Sequence, residues 1–257
     1  MPSIRILIRL VPMALAAALL GVAPAPAGLT ILCGGAAAAP MTRIAAEYRR
    51  DRGVPVSITV GTAGQLRQKL AAGTPADVVI ITTTALDALQ RDGTVVSGPP
   101  TAIGTNSIGI GIPDGTKPPD LRTVEAFEAT LRSATRIAVP DPAFGASSGA
   151  AFSALLGRLG LAAEIAPKET LVPGGEACEV VARGQADLCV QNVTEILPVP
   201  GVALAGLLPE PLQTHLAYVA GVLTRATNAA AAADFLHYAT TGERAAVLRA
   251  AGFTLPT

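Results

Sequence analysis

A regular alternation of apolar runs with amphipathic stretches constrains this chain most, and its anchor is Asp77-Val78-Val79-Ile80-Ile81. Consecutive β-branched residues with no polar alternation leave no face for water. A strand of this kind is buried on both sides, in a parallel sheet covered by helices on both faces. The neighbouring segments agree. Leu29–Cys33 predicts a strand ending at Gly34-Gly35, and a helix from about Ala37 to Arg50 sets Met41, Ile44, Ala45 and Tyr48 on one face. Val54–Val60 predicts the next strand, and Gly64–Ala72 a helix stopped by Gly73. Thr82-Thr83-Thr84 caps a third helix running through Leu86 and Leu89 to Gly93. The order βαβαβα defines an open α/β layer.

The pattern restarts after Gly104. Strands are predicted over Ser107–Ile112, Arg136–Val139, Lys168–Val172, Asp187–Gln191, Val202–Ala205 and His215–Thr224, with helices over Thr123–Arg132, Ser147–Leu159 and from Gly174-Gly175 to Arg183. Two Ala-rich helices, Ala229–Tyr238 and Gly242–Ala250, end the chain. The expected organisation is two α/β lobes. One takes residues 28–104 and 225–257, the other 106–224, with Ser107–Ile112 and His215–Thr224 as the crossing strands. A ligand cleft then lies between the lobes, at the carboxyl ends of the strands.

Residues 1–27 carry an export signature. Arg5 and Arg9 precede an apolar run from Leu10 to Val22, followed by Ala23-Pro24-Ala25-Pro26-Ala27. This is a signal peptide pattern with cleavage expected after Ala27, and the run is shorter than the roughly 20 residues of a spanning helix. The mature chain is then extracytoplasmic, of about 230 residues. The chain has 19 Lys and Arg against 19 Asp and Glu; without Arg5 and Arg9 the balance is about −2. No basic field exists for a polyanion, so nucleic acid is excluded as a partner. Trp is absent and aromatics make up 3% of the chain, which disfavours a stacking site for sugars or bases. The three cysteines, Cys33, Cys178 and Cys189, form no metal motif with His215 or His237, and no cofactor is expected. They are expected to be buried free thiols, although Cys178 and Cys189 are close enough in sequence for a disulfide.

Candidate chemistry sits at the strand ends. The loops are Gly34-Gly35-Ala36, Thr62-Ala63, Ser147-Ser148-Gly149, Gly174-Gly175-Glu176 and Gln191-Asn192. Small or polar residues at helix starts present unpaired N–H groups and partial positive charge, and several such starts aimed at one point hold an anion without Lys or Arg. Each loop alone also reads as an ordinary cap or turn. Glu176 and Glu195 stand nearby. Their ordinary role is to complement a helix dipole; in an enzyme either would serve as a base.

These segments resemble the periplasmic molybdate-binding proteins, type II solute receptors of ABC importers. The resemblance rests on Leu29–Arg50, on Gly61–Ile81 with its Ala72-Gly73-Thr74-Pro75-Ala76-Asp77, on the Asp141-Pro142 loop, and on Gly242-Glu243-Arg244-Ala245-Ala246 and Gly252-Phe253. It spans essentially the whole mature chain. It implies a periplasmic monomer of two lobes with parallel-type sheets, closing by a hinge on a molybdate-class oxyanion for delivery to a membrane permease. The ligand positions match in part. The family's first-loop serine corresponds to Ala36, its second-loop serine to Thr62, its backbone donors to Ser147 or Ser148 and to the loop before Glu176. A family tyrosine gives way to Gln191-Asn192. Aconitate isomerases, periplasmic enzymes, resemble the same wider group, so a small carboxylate is the alternative ligand, carried or isomerised.

Overall fold

The structure, a computed structural model, describes residues 28–256; the expected signal segment 1–27 lies outside them. The first half runs β1 (Leu29–Gly34), α1 (Gly35–Arg52), β2 (Val56–Gly61), α2 (Ala63–Ala71), β3 (Val78–Thr82), α3 (Thr83–Arg91) and β4 (Thr101–Asn106). The second runs β5 (Ile108–Pro113), α4 (Val124–Ser133), β6 (Ile137–Pro140), α5 (Ser147–Leu159), α6 (Ala162–Ile165), β7 (Glu169–Val172), α7 (Ala177–Ala182), β8 (Leu188–Asn192), α8 (Val193–Ile196) and β9 (Val202–Leu207). The chain then returns through β10 (Leu216–Val222), α9 (Ala229–Thr240) and α10 (Arg244–Ala250).

Two five-stranded sheets result, ordered β2-β1-β3-β10-β4 and β7-β6-β8-β5-β9. The fold is the two-lobed α/β architecture of periplasmic binding proteins. Each sheet is mixed where parallel sheets were expected: β1, β2 and β3 are parallel, as are β6, β7 and β8, but β10 and β5 run antiparallel to their neighbours. β10 pairs with β3 and β4, so it belongs to the first sheet, and the expected second lobe ending at 224 ran too far. Period alone identifies a strand but not its partner. β4, absent from the sequence reading, pairs with β10 on the sheet edge.

The lobes join where β4 passes into β5 at Ser107 and where the chain returns before Leu216. The Ser107 hydroxyl lies 3.3 Å from His215 Nδ1, tying the two crossings together. Gln213 adds a strand-like pairing: its Nε2 donates to the Ile108 carbonyl at 2.9 Å and its Oε1 accepts from the Ile108 N–H at 3.0 Å.

Each sheet is buried on both faces, as the run at Val78–Ile81 requires. Ile31, Ile80 and Met41 pack with Phe235 on one side of the first sheet, and Leu32, Val79 and Leu86 on the other. Phe127, Phe152 and Val190 fill one side of the second, and Ala138, Val181 and Ile196 the other. Asp77 is a knot rather than a ligand residue. It is 2% exposed, and its carboxylate accepts from Thr30 N–H at 2.9 Å, Thr227 N–H at 2.8 Å, Thr227 hydroxyl at 3.0 Å and Asn228 N–H at 3.1 Å. It thus fastens the entry to α9 onto β1. Burial pushes its pKa up, but these donors outweigh burial and hold it below the usual carboxylate range. Arg244 does similar work outside. It bonds Asp51 at 3.1 Å and the Tyr238 hydroxyl at 2.6 Å, and its guanidinium lies 4.1 Å from the Tyr238 ring centre.

Cys178 and Cys189 form a disulfide, with Cα atoms 5.2 Å apart, correcting the expectation of free thiols. Helix α7 packs over β8, which brings the two side chains face to face. Cys33 stays a buried free thiol, its pKa raised by burial. Among the described residues no single helix is long and apolar enough to cross a membrane, and no metal-ligating cluster of His, Cys, Asp or Glu occurs.

Candidate functional site

The carboxyl ends of β1, β2 and β3 face those of β6, β7 and β8, and a chamber opens between them. Its lining includes Gly34, Gly35, Thr62, Ala63, Ser147, Ser148, Gly174, Gly175 and Asn192, nine positions expected from sequence. The other four fall behind it. Ala36 is buried in the packed face of α1. Gly149 sits where α5 crosses β6 so closely that a Cβ would overlap the Pro140 carbonyl. Gln191 is a brace, accepting from Cys178 N–H at 3.1 Å and donating to the Gly175 carbonyl. Glu176 lines a neighbouring, more open cavity.

Helices α1 and α5 enter the chamber from opposite lobes, and neither has a side-chain N-cap. Their first N–H groups and partial positive charge are therefore directed at what lies between. Helix α2 differs. Thr62 caps it, accepting from Gln65 N–H at 3.2 Å, while Gln65 Oε1 accepts from Thr62 N–H at 2.9 Å. The Thr62 hydroxyl donates to the Phe144 carbonyl of the other lobe. The hydroxyl expected to serve a ligand thus joins the lobes in this closed arrangement. Gln65 Nε2 reinforces the junction by donating to the Pro173 carbonyl at 3.2 Å.

Sequence reasoning missed Tyr218 and left Glu195 undecided. Tyr218 rises from β10 of the first sheet, 4% exposed, and its hydroxyl lies 3.0 Å from Ser147 Oγ at the start of α5. A phenol thus reaches the chamber from a strand other than the one the resemblance pointed to. The available signal was its place in an apolar strand beside the cleft, legible only once β10 is assigned to the first sheet. Burial, with the Glu195 charge nearby, raises the Tyr218 pKa.

Glu195 projects from α8 into the wall of the chamber. Asn192 Nδ2 donates to its Oε2 at 2.5 Å. Its Oε1 reaches the first residue of α1, and only glycine fits there: a Cβ on Gly35 would overlap that oxygen. Burial pushes the Glu195 pKa up to about 7, against the opposing bonds from Asn192 and Gln191. The arrangement can hold an anion with neutral donors and can take up and release one proton near neutrality.

A two-lobed α/β fold with a cleft at facing strand ends is the architecture of a solute-binding protein. Residues 29–254 match the family described as bacterial extracellular solute-binding protein, and the chain belongs to that family. It is 30% identical over 255 residues to an aconitate isomerase of Pseudomonas sp, covering 95% of this chain and 96% of that one. The periplasmic molybdate-binding protein of Azotobacter vinelandii superposes with a TM-score of 0.77 at 19% identity, over 89% of this chain and 100% of that one. PEB3 of Campylobacter jejuni, in its L-phospholactate-bound structure, superposes with a TM-score of 0.68 at 18% identity, over 89% of this chain and 100% of that one.

Proposed function

We propose that this protein is an extracytoplasmic isomerase of the aconitate type, which closes its lobes on a small polycarboxylate and moves a proton on it. The observation that carries the reading is Glu195, a carboxyl set against the uncapped start of α1 in a chamber otherwise lined by neutral groups. A receptor for a permanent dianion gains nothing from an acid there, since two like charges at contact repel. A proton-transfer enzyme needs such a group, with a pKa near the working pH.

The reaction balances without a co-reactant. The Glu195 carboxylate takes a proton from the methylene carbon beside a substrate carboxylate. The released electron pair forms a new C=C bond as the old double bond shifts by one carbon, and negative charge is delocalised onto carboxylate oxygens in between. The N–H groups at the starts of α1 and α5 stabilise that charge. Glu195 then returns the proton to the former vinyl carbon and is regenerated. Similarity to an aconitate isomerase along nearly the whole chain supports this chemistry, and a fold neighbour bound to the carboxylate L-phospholactate supports the ligand class.

The second reading is a receptor that captures a molybdate-class oxyanion for an ABC permease. The neutral donors of α1 and α5 and the likeness to a molybdate-binding protein favour it. Proton NMR of purified mature protein with cis-aconitate separates the two. Conversion to trans-aconitate, lost in Glu195→Gln, is expected. No conversion, together with thermal stabilisation by molybdate but not by carboxylates, establishes the receptor instead; saturation at 100 times Kd is worth about 2.7 kcal/mol.

A further inference from the structure

We propose that Asn192 is a positioning residue whose side-chain amide turns over when Glu195 gains its proton, presenting Oδ1 to the acid's O–H. The inference rests on the proton-transfer reading of Glu195 above. Asn192 is 2% exposed and lines the chamber. Its Nδ2 stands between two partners, Glu195 Oε2 at 2.5 Å and the Tyr218 hydroxyl at 3.5 Å. Its Oδ1 is buried and accepts nothing. An unmet buried acceptor is costly, and this one belongs to the residue that contacts the proton carrier.

The amide suits only one protonation state at a time. With Glu195 ionised, the Nδ2 hydrogens point at a carboxylate and at a phenol oxygen, both acceptors. Once Oε2 carries a hydrogen, donor faces donor. Rotation by half a turn about the Cβ–Cγ bond exchanges the two ends of the amide, which are nearly the same size. Oδ1 then accepts from the acid, and from Tyr218, whose oxygen accepts in turn from Ser147. Nδ2 takes the place that Oδ1 leaves, and the rotation thus gives the protonated acid an acceptor.

The surroundings leave Glu195 as the group that titrates. Cys33 on β1 and Tyr218 on β10 have raised pKa values and stay protonated at neutral pH. Ser147 on α5 is neutral. Glu176, Glu179 and Arg183 line the open cavity beyond Glu195, where Arg183 and Glu179 pair at 3.3 Å.

The test is NMR of the full mature chain labelled with 13C and 15N on asparagine, needing neither turnover nor ligand. The Asn192 Cγ and Nδ2 resonances are expected to shift together with a midpoint near pH 7, and the titration to vanish in Glu195→Gln. Resonances unchanged from pH 5.5 to 8.5, or a titration that persists in Glu195→Gln, overturn the proposal whatever the aconitate assay gives. Asn192→Asp supplies acceptors alone. Its rate midpoint with cis-aconitate is expected to move up by at least one pH unit, with roughly tenfold loss at pH 7 and recovery near pH 9. A loss of equal size at every pH means Asn192 only supports the fold, and overturns it too.

Discussion

Lobe one and lobe two are built on the same strand order, with β3 leading into α3 where β8 leads into α8. The third residue past the strand end is Ala85 in the first lobe and Glu195 in the second. Helix α3 runs nine residues and starts with threonines, whereas α8 runs four and carries the acid. The first lobe contributes uncapped N–H groups from α1; the second contributes matching groups from α5 and, at the place where it departs from the first, a buried carboxyl. On the proposed reading, the shared frame holds the ligand and the departure from symmetry brings the proton carrier.

Four experiments break or sharpen that contrast. The largest effect is expected at the asymmetric position. Glu195→Gln should lower kcat for aconitate isomerisation by about 10²–10⁴, the usual contribution of a general base. Because the ionised form is the base, the wild-type rate should fall as pH drops below about 7. A pH-independent rate between 5.5 and 8.5 would show that another group moves the proton.

Asp77 tests the frame of lobe one. Asp77→Asn removes a charged acceptor of four bonds and should cost on the order of 3 kcal/mol in urea unfolding, with ligand affinity kept. Its folded pKa is depressed, so its contribution is complete above the unfolded carboxylate range and fades as pH falls through the folded value. The gap between wild type and variant should therefore narrow in acid.

Gly149 tests the frame of lobe two. A methyl there meets the Pro140 carbonyl and pushes α5 off β6. Gly149→Ala should cost about 1–3 kcal/mol and weaken ligand binding as the start of α5 retreats. A calorimetric scan and a titration read the two losses separately. The smallest effect is expected at Tyr218→Phe, which removes the hydroxyl between Ser147 and Asn192 and should cost about 1 kcal/mol, or some fivefold in affinity. A larger loss would mean that the phenol itself touches the ligand.

Much of the frame was legible. The β-branched run at Val78–Ile81 demanded a doubly covered sheet, and glycines and threonines marked the helix starts that line the chamber. What escaped was decided by partners distant in sequence. Tyr218 enters the site because β10 returns to the first sheet, and no local period records that return. Thr62 carries the hydroxyl the pattern asked for, but the Phe144 carbonyl, far along the chain, accepts its hydrogen bond. The Ala72–Asp77 segment, the most recognisable part of the sequence, turns out to report on the scaffold, since Asp77 binds the entry to α9 and touches no part of the chamber. Likeness at such a position identifies the fold and is silent on the ligand.

The Cys178–Cys189 link ties the history of the molecule to its competence. It closes a short loop, with 11 positions separating the two sulfurs in sequence, and so holds α7 against β8, the strand that ends in Gln191 and Asn192. Gln191 in turn braces the Gly175 carbonyl at the rim of the chamber. A freshly synthesised chain in a thiol-rich compartment lacks that crosslink, and its rim is held by hydrogen bonds alone. With the link formed, the strand end that carries Gln191 and Asn192 is tethered covalently to α7 as well.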